Sequence, residues 1–323
     1  MALPFSSAMG VNYSNTFQSN PIPDASAAAD IRNSGIVPVK LFNYSQTGFF
    51  AAANGLELIP GIPNSELKNL YNNNTSAVVN ALQPYASQIK AIMVGNEPLL
   101  DDIASTYGPL LAQSLTNLNN ALKAAGMNIP LSIPLNSNVE SVSWPPSAGA
   151  FKSNYTGWLK DVCSFLQSTN SFFTINIYPY YARIGSPNDV PLNYALFKNT
   201  QPQFVDQGHA YYNLFDAMYD ATVSALKTIG YGNLPVVVGE TGWPTANGLD
   251  ASVANAQTFN QNLINHVNSG KGTPANPSAV LQTFLFEMYD ENLKSAQPPF
   301  EPNWGVYENS GGNAYKPKYN LSW

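Results

Sequence analysis

Charge is the first thing this chain lacks. Of its 323 residues 11% are Asp, Glu, Lys or Arg, and 14 basic against 20 acidic side chains leave a formal net charge of −6. Nucleic acid and anionic lipid are gripped by clustered basic residues, so neither is an expected partner, and a neutral polymer suits the chain better. Cysteine is nearly absent too. Cys163 stands alone, which excludes an internal disulfide, and it forms no metal-ligand spacing with His209 and His266. No metal and no cofactor are expected. No apolar run approaches the roughly 18 residues of a spanning helix. The start Met1-Ala2-Leu3-Pro4-Phe5 has neither the basic region nor the apolar stretch of a secretion leader and reads as the start of a mature chain. A Gly-x-Gly-x-x-Gly loop and a Gly-x-Ser-x-Gly elbow are both missing, which argues against a dinucleotide fold and a serine esterase.

What is there is apolar and regularly punctuated. Hydrophobic residues make up 44% of the chain, enough for a large buried core. Strands are predicted at Met9 to Tyr13, Val37 to Asn43, Leu56 to Pro63, Ile89 to Pro98, Ile129 to Asn136, Phe172 to Tyr180, Leu234 to Pro244 and Ala279 to Asp290. Most are near-continuous apolar runs, the pattern of parallel strands covered on both faces. Between them apolar residues recur at helical spacing, as in Leu214, Met218, Ala221 and Ala225, or Val253, Ala256, Leu263, Ile264 and Val267. Glycines 35, 55, 126, 230 and 270 mark helix exits. Eight strand-helix units in series predict an α/β fold, a (β/α)₈ TIM barrel, with residues 1–323 as a single domain. Long turn-rich stretches after the fifth and sixth strands, 136–149 and 181–207, would then wall a cleft at the catalytic face.

Two apolar strands end in a glutamate. Val94-Gly95-Asn96-Glu97-Pro98 and Val238-Gly239-Glu240-Thr241-Gly242-Trp243-Pro244 place Glu97 and Glu240 at the top of the fourth and seventh strands. A pair of opposed carboxylates is what glycosidic cleavage requires, one to protonate the departing oxygen and one to attack the sugar or activate water. Either acid alone reads equally well as a solvated strand end. Asn96 is placed to bond a sugar hydroxyl, or else simply forms a turn. Alternation along Asn176, Tyr178 and Tyr180 sets these three on one face, where a phenol would orient a nucleophile. Trp144, Trp243 and Trp304 fall in or near top-face loops, as sugar platforms or as packing. The run from Glu287 to Lys294 is either a network beside the cleft or an ordinary solvated exit.

Taken together these motifs resemble glycoside hydrolase family 17, the plant-type β-1,3-glucanases. The resemblance rests on Val94-Gly95-Asn96-Glu97, Ser143-Trp144-Pro145-Pro146-Ser147, Asn176-Ile177-Tyr178-Pro179-Tyr180, Asn213-Leu214-Phe215-Asp216, Gly239-Glu240-Thr241-Gly242-Trp243-Pro244 and Asp290-Glu291-Asn292-Leu293-Lys294, in family order over nearly the whole chain. It implies retaining hydrolysis of β-1,3-glucan without a cofactor, Glu97 as general acid/base, Glu240 as nucleophile, Tyr178 beside it, and Glu291 and Lys294 in support. Trp243, Phe42 and Trp304 join the expected binding or supporting set. The chain departs from the family pattern at Lys40-Leu41-Phe42-Asn43, where Arg-Leu-Tyr-Asp is usual, at Trp304-Gly305-Val306-Tyr307, and at Glu287, where a small residue is usual.

The expected partner is therefore a β-glucan, met by a monomer outside the cell or in the cell wall. Six Asn-X-Ser/Thr sequons, at Asn12, Asn43, Asn73, Asn74, Asn154 and Asn320, suit secretion. Mixed-linkage glucanase and glucanosyltransferase activity are variants on the same site, and a silent glucan-binding protein is the alternative of another class. No sugar-binding module or anchor tail is expected after Trp323.

Overall fold

Eight short runs of apolar residues pair side by side in a computed structural model that describes residues 3–309 and 316–323. Met1 and Ala2 of the predicted mature start lie outside the described residues. The strands are β1 (Met9–Tyr13), β2 (Pro38–Leu41), β3 (Glu57–Ile59, continued as Gly61–Ile62), β4 (Ile92–Val94), β5 (Leu131–Ser132, continued as Pro134–Asn136), β6 (Phe173–Asn176), β7 (Val236–Thr241) and β8 (Thr283–Leu285). Each pairs in parallel with the strands before and after it, and β1 also pairs with β8. The sheet is thus a closed barrel, interrupted at Pro60 in β3 and Ile133 in β5. Proline has no N–H for the ladder, yet the Pro60 carbonyl still accepts from Met93 N at 2.9 Å, so pairing continues across the break.

Why the strands are apolar on both faces is now visible. One face packs inward, where Ile59, Ala91, Met93, Phe172, Val237 and Phe284 form a small interior cluster. Phe5, which precedes β1, closes this cluster from the N-terminal end, its ring edge-on to Phe172 and Phe284 at 5.7 and 5.8 Å. The other face meets the surrounding helices in the main core. Helices Leu214–Thr228 and Val253–Asn268 cover the positions predicted from spacing, and begin at Asn213 and Ser252, whose side chains accept from the backbone N–H three residues on. The five predicted exit glycines all have positive φ.

Three expectations need correcting. Seven of the eight predicted strands run too long: all seven start later than predicted, and six of them, the fifth excepted, also end early as the chain leaves the sheet at the barrel top to form the site. The eighth unit carries no α-helix among the described residues: after β8 stand a short 3₁₀ turn at Glu301–Asn303 and a C-terminal stretch whose Tyr319 phenol takes a hydrogen bond from Asn260 at 2.7 Å. The alternation read through Tyr180 stops at Pro179, which opens the helix Pro179–Gly185. Tyr180 consequently turns away into a buried aromatic group with Trp243, Phe300 and Trp304.

The long loops after β5 and β6 carry two small hairpins, Glu140–Val142 with Ala150–Phe151 and Phe204–Asp206 with His209–Tyr211. Asp206 ties them together by accepting from Ser147 N and Oγ at 2.7 and 2.8 Å.

Candidate active site

A cleft of about 660 Å³ opens at the C-terminal end of the barrel strands, lined by Glu97, Glu240 and residues from most of the top-face loops. That volume is in the range of sites for small organic ligands. Glu240 is the fifth residue of β7 and is 5% exposed. Its carboxylate is fixed at both oxygens: Lys40 Nζ donates to Oε1 at 2.9 Å and the Tyr178 hydroxyl donates to Oε2 at 2.8 Å. Lys40 projects from β2, 1% exposed, and also donates to Asn12 Oδ1 at 3.1 Å. Asn12 is anchored in turn, its amide nitrogen facing the carbonyls of Gly239, Phe284 and Leu285 at 3.2 to 3.3 Å. The ammonium and the phenol hold this carboxyl group oriented at both of its oxygens.

Glu97 is treated differently. β4 ends at Val94, Gly95 leaves it with φ 79°, and Glu97 itself has φ 49°, a backbone region that non-glycine residues adopt at a cost of order 1 kcal/mol. It therefore lies in the turn beyond the strand, not on it as predicted. Its backbone N–H donates to Pro134 O of β5 at 2.9 Å. The Oε1 atom accepts from the side-chain amides of Asn136 on β5 and Asn176 on β6, at 3.0 and 2.8 Å. Burial, and after it the charge of Glu240, push its pKa upward; the two amides and Lys40 pull the other way with less effect. Glu97 is thus an acid inclined to keep its proton, beside a carboxyl group bonded to an ammonium and a phenol.

Asn176 couples the two carboxylates. Its Cα stands opposite Glu240 in the β6–β7 register while its side chain reaches Glu97. The bond needs Gly239, since a Cβ there would fall 2.7 Å from Asn176 Oδ1.

The remaining predicted residues divide. Asn96 lines the cleft with its backbone clamped by Asn64, which accepts from its N–H and donates to its carbonyl, both at 2.8 Å, and its side-chain oxygen has no hydrogen-bond partner among the described residues. Phe42, Tyr178, Glu291, Lys294 and Trp304 line it as well. Lys294 Nζ bonds Glu291 Oε2 at 2.8 Å and sits 4.4 Å from the centre of the Phe286 ring. Trp243 does not reach the cleft: it is fully buried, donates to Asp250 O at 3.0 Å and packs on Tyr180 and Phe259. Trp144 is 58% exposed on the first hairpin, edge-on to Phe204.

Sequence reasoning missed Lys40, Asn12 and Asn136 as site residues, and Tyr181, whose hydroxyl bonds Glu301 at the cleft wall. A signal for Lys40 was present, a lone charge inside the apolar run Val39-Lys40-Leu41. Buried charges are kept where something pairs with them.

Known proteins agree with this geometry. The sequence profile of glycosyl hydrolases family 17 matches residues 9–322. Glucan endo-1,3-beta-glucosidase 8 of Arabidopsis thaliana is 36% identical over 94% of this chain, which spans 65% of that relative's length. A probable glucan endo-1,3-beta-glucosidase of the same plant is 37% identical, with 93% of this chain and 87% of the relative covered. Among solved structures, a β-1,3-glucanase and pollen allergen of Cryptomeria japonica superposes with a TM-score of 0.90 at 34% identity, covering 97% of this chain and 98% of its own. One of two plant β-glucan endohydrolases described as having distinct substrate specificities gives 0.89 at 31% identity, covering 97% and 100%. With its two carboxylates at the strand ends of a closed parallel barrel, this chain belongs to glycosyl hydrolases family 17.

Proposed function

We propose that the protein is a retaining endo-β-1,3-glucanase. The observation that carries this is the contrast between two carboxyls in one cleft: Glu240 is bonded to an ammonium and a phenol, while Glu97 accepts amide bonds and is pushed toward its protonated form by burial. Glu240 attacks the anomeric carbon as Glu97 gives its proton to the departing sugar oxygen. A covalent glucosyl-enzyme results. Glu97, now ionised, takes a proton from water, and the hydroxide oxygen displaces Glu240, so two inversions retain the β configuration. Asn96, which lines the cleft, is proposed to meet the sugar 2-hydroxyl through its side-chain amide, and Phe42, Trp304, Glu291 and Lys294 to form the wall against the bound sugars. The name shared by the curated relatives supports the β-1,3 linkage and internal cleavage.

Residues 1–323 act in this reading as one catalytic domain and as a monomer, since acid, nucleophile and cleft walls all come from one chain. The place of action is outside the cell, where such polymers lie. Among the described residues no helix is long and apolar enough to cross a membrane. Asn73, Asn74, Asn154 and Asn320 are exposed, so four of the six sequons are open to a glycan, whereas Asn12 is buried behind Glu240.

Sizing the products from laminarin and from a mixed-linkage 1,3;1,4-glucan tests the substrate: shortening of laminarin, with internal cuts from the outset, is the expected result. A chain that shortens neither polymer is not a glucanase. Azide tests the two roles with an activated aryl β-glucoside of laminaribiose. Glu97→Ala should yield the β-azide, by capture of the covalent intermediate, and Glu240→Ala the α-azide, by a single displacement. The opposite pairing would exchange the roles.

A further inference from the structure

Glu287 is a buried acid that this reaction leaves unused. It follows Phe286 at the exit of β8, is 1% exposed, and neither of its carboxyl oxygens has a hydrogen-bond partner among the described residues. Its surroundings are charged. Asp290, Glu291 and Lys294 lie on its own segment, Glu240 faces it from β7, and Lys318 faces it from the C-terminal stretch. Both ammoniums are already committed, Lys294 to Glu291 at 2.8 Å and Lys318 to Asp290 at 2.6 Å. Lys40 is committed to Glu240. Glu287 is therefore the odd acid, with no free cation, no N–H and no solvent to support a negative charge, and such a carboxyl keeps its proton. Burial first, and then the carboxylate of Glu291, drive it well above the ordinary range, Lys294 opposing.

The consequence reaches the cleft through Lys294. Its ammonium rests on Glu291 over the face of Phe286, and all three side chains line the cleft. Among the acids acting on Lys294, an ionised Glu287 ranks first, ahead of Glu291. When Glu287 releases its proton to solvent, a bare charge appears beside the cleft wall, and of the two ammoniums that feel it Lys294 is the one that lines the cleft.

We infer that Glu287 is a positioning residue for the cleft wall: neutral, it leaves Lys294 on Glu291, and ionised, it draws Lys294 away, so that glucan binding weakens as pH rises. This rests on the cleft being the glucan site. It is separable from Glu97, whose proton governs the chemical step and not the wall.

Glu287→Gln is the test, because an amide mimics the neutral acid and cannot ionise. KM and kcat for a soluble β-1,3-glucan are measured for the full chain and the variant from about pH 4 to about pH 8.5, which spans both limbs of a carboxyl profile. At acid pH the two KM values should coincide. Toward alkaline pH the parent's KM should rise roughly tenfold, the effect of about 1.4 kcal/mol of lost contact, while the variant's stays low and the kcat limb is common to both. Superimposable KM curves overturn the inference. Infrared spectra of the parent minus those of Glu287→Gln supply a second readout, because the subtraction cancels the bands of Glu97, Glu140 and Asp290: the carbonyl stretch of a protonated acid should be present in this difference at acid pH and vanish over the range in which KM rises. A difference without that band at acid pH overturns the inference equally. A parent that cleaves no glucan at any pH sinks the functional reading instead, and the spectra still decide the state of Glu287.

Discussion

Lys40 shows how much one side chain decides. A lysine at the centre of a barrel strand would normally be excluded from so apolar a place, and it survives because Glu240 and Asn12 accept hydrogen bonds from it. Removing one partner of such a pair leaves the other charge buried and uncompensated, at a typical cost of 3 to 5 kcal/mol. Lys40→Met should therefore lower the melting temperature clearly and reduce kcat by about 10²-fold or more, with Tyr178 left as the contact holding Glu240. Lys40→Arg should recover much of the stability and part of the rate. Equal kcat in Lys40→Met and the parent would show that orientation of the nucleophile does not depend on this contact. Glu97→Gln is expected to cost about 10²- to 10⁴-fold in kcat, the usual worth of a positioned acid. At this scale the sequence disclosed the two acids and Tyr178, since each stands beside Gly or Pro at or just past the end of an apolar strand, but not the amides of Asn136 and Asn176 that converge on Glu97. Asparagine is common in this chain, and convergence of two strands on one oxygen is a property of register, which no local pattern encodes.

Elements were legible where burial is two-sided and less so where function begins. All eight strands were readable because their apolar runs are covered on both faces. Their ends were not, because Gly95, Pro179 and Gly242 continue apolar stretches while already steering the backbone out of the sheet. The eighth unit, without an α-helix among the described residues, illustrates the same limit: the stretch after β8 is apolar enough to extend a strand pattern, yet it supplies Phe286, Glu291 and Lys294 to the cleft. Packing between β6 and β7 gives a test at this scale. A methyl at Gly239 would fall 2.7 Å from Asn176 Oδ1 and 2.8 Å from Thr174 Cγ2. Gly239→Ala must then push Asn176 off Glu97, at about 1 to 3 kcal/mol of overpacking strain. The Asn176 bond lowers the Glu97 pKa, so its loss raises that pKa further and the alkaline limb of kcat/KM should move to higher pH. Asn176→Ala should reproduce this shift without the strain. A limb that stays in place in both variants would mean that Glu97 is not the group titrating there.

The whole molecule carries few charges but more acids than bases, and it buries several of its carboxyls, which sets the direction of its pH stability. Glu97, Glu140, Glu287 and Asp290 are all shifted upward, burial being the first cause in each. Glu140 is the clearest case. It sits in the hairpin against the Leu214–Thr228 helix, and burial pushes it from the usual 4.5 up to about 7, despite a 2.6 Å hydrogen bond from Thr222 Oγ1. For an acid whose folded pKa exceeds its unfolded one, the folded state binds the proton more tightly. The associated stability is fully present below 4.5 and is lost as pH rises to about 7, beyond which no more is lost. A shift of that size corresponds to about 3 kcal/mol. The protein should accordingly melt at its highest temperature in mildly acid buffer and at progressively lower temperatures toward neutrality. Glu140→Gln, which stays neutral, should flatten the slope over that window while leaving the acid-side melting temperature close to the parent's. Should the parent instead gain stability between those two pH values, with the variant following it, Glu140 would have to be ionised in the folded protein and served by a donor other than Thr222.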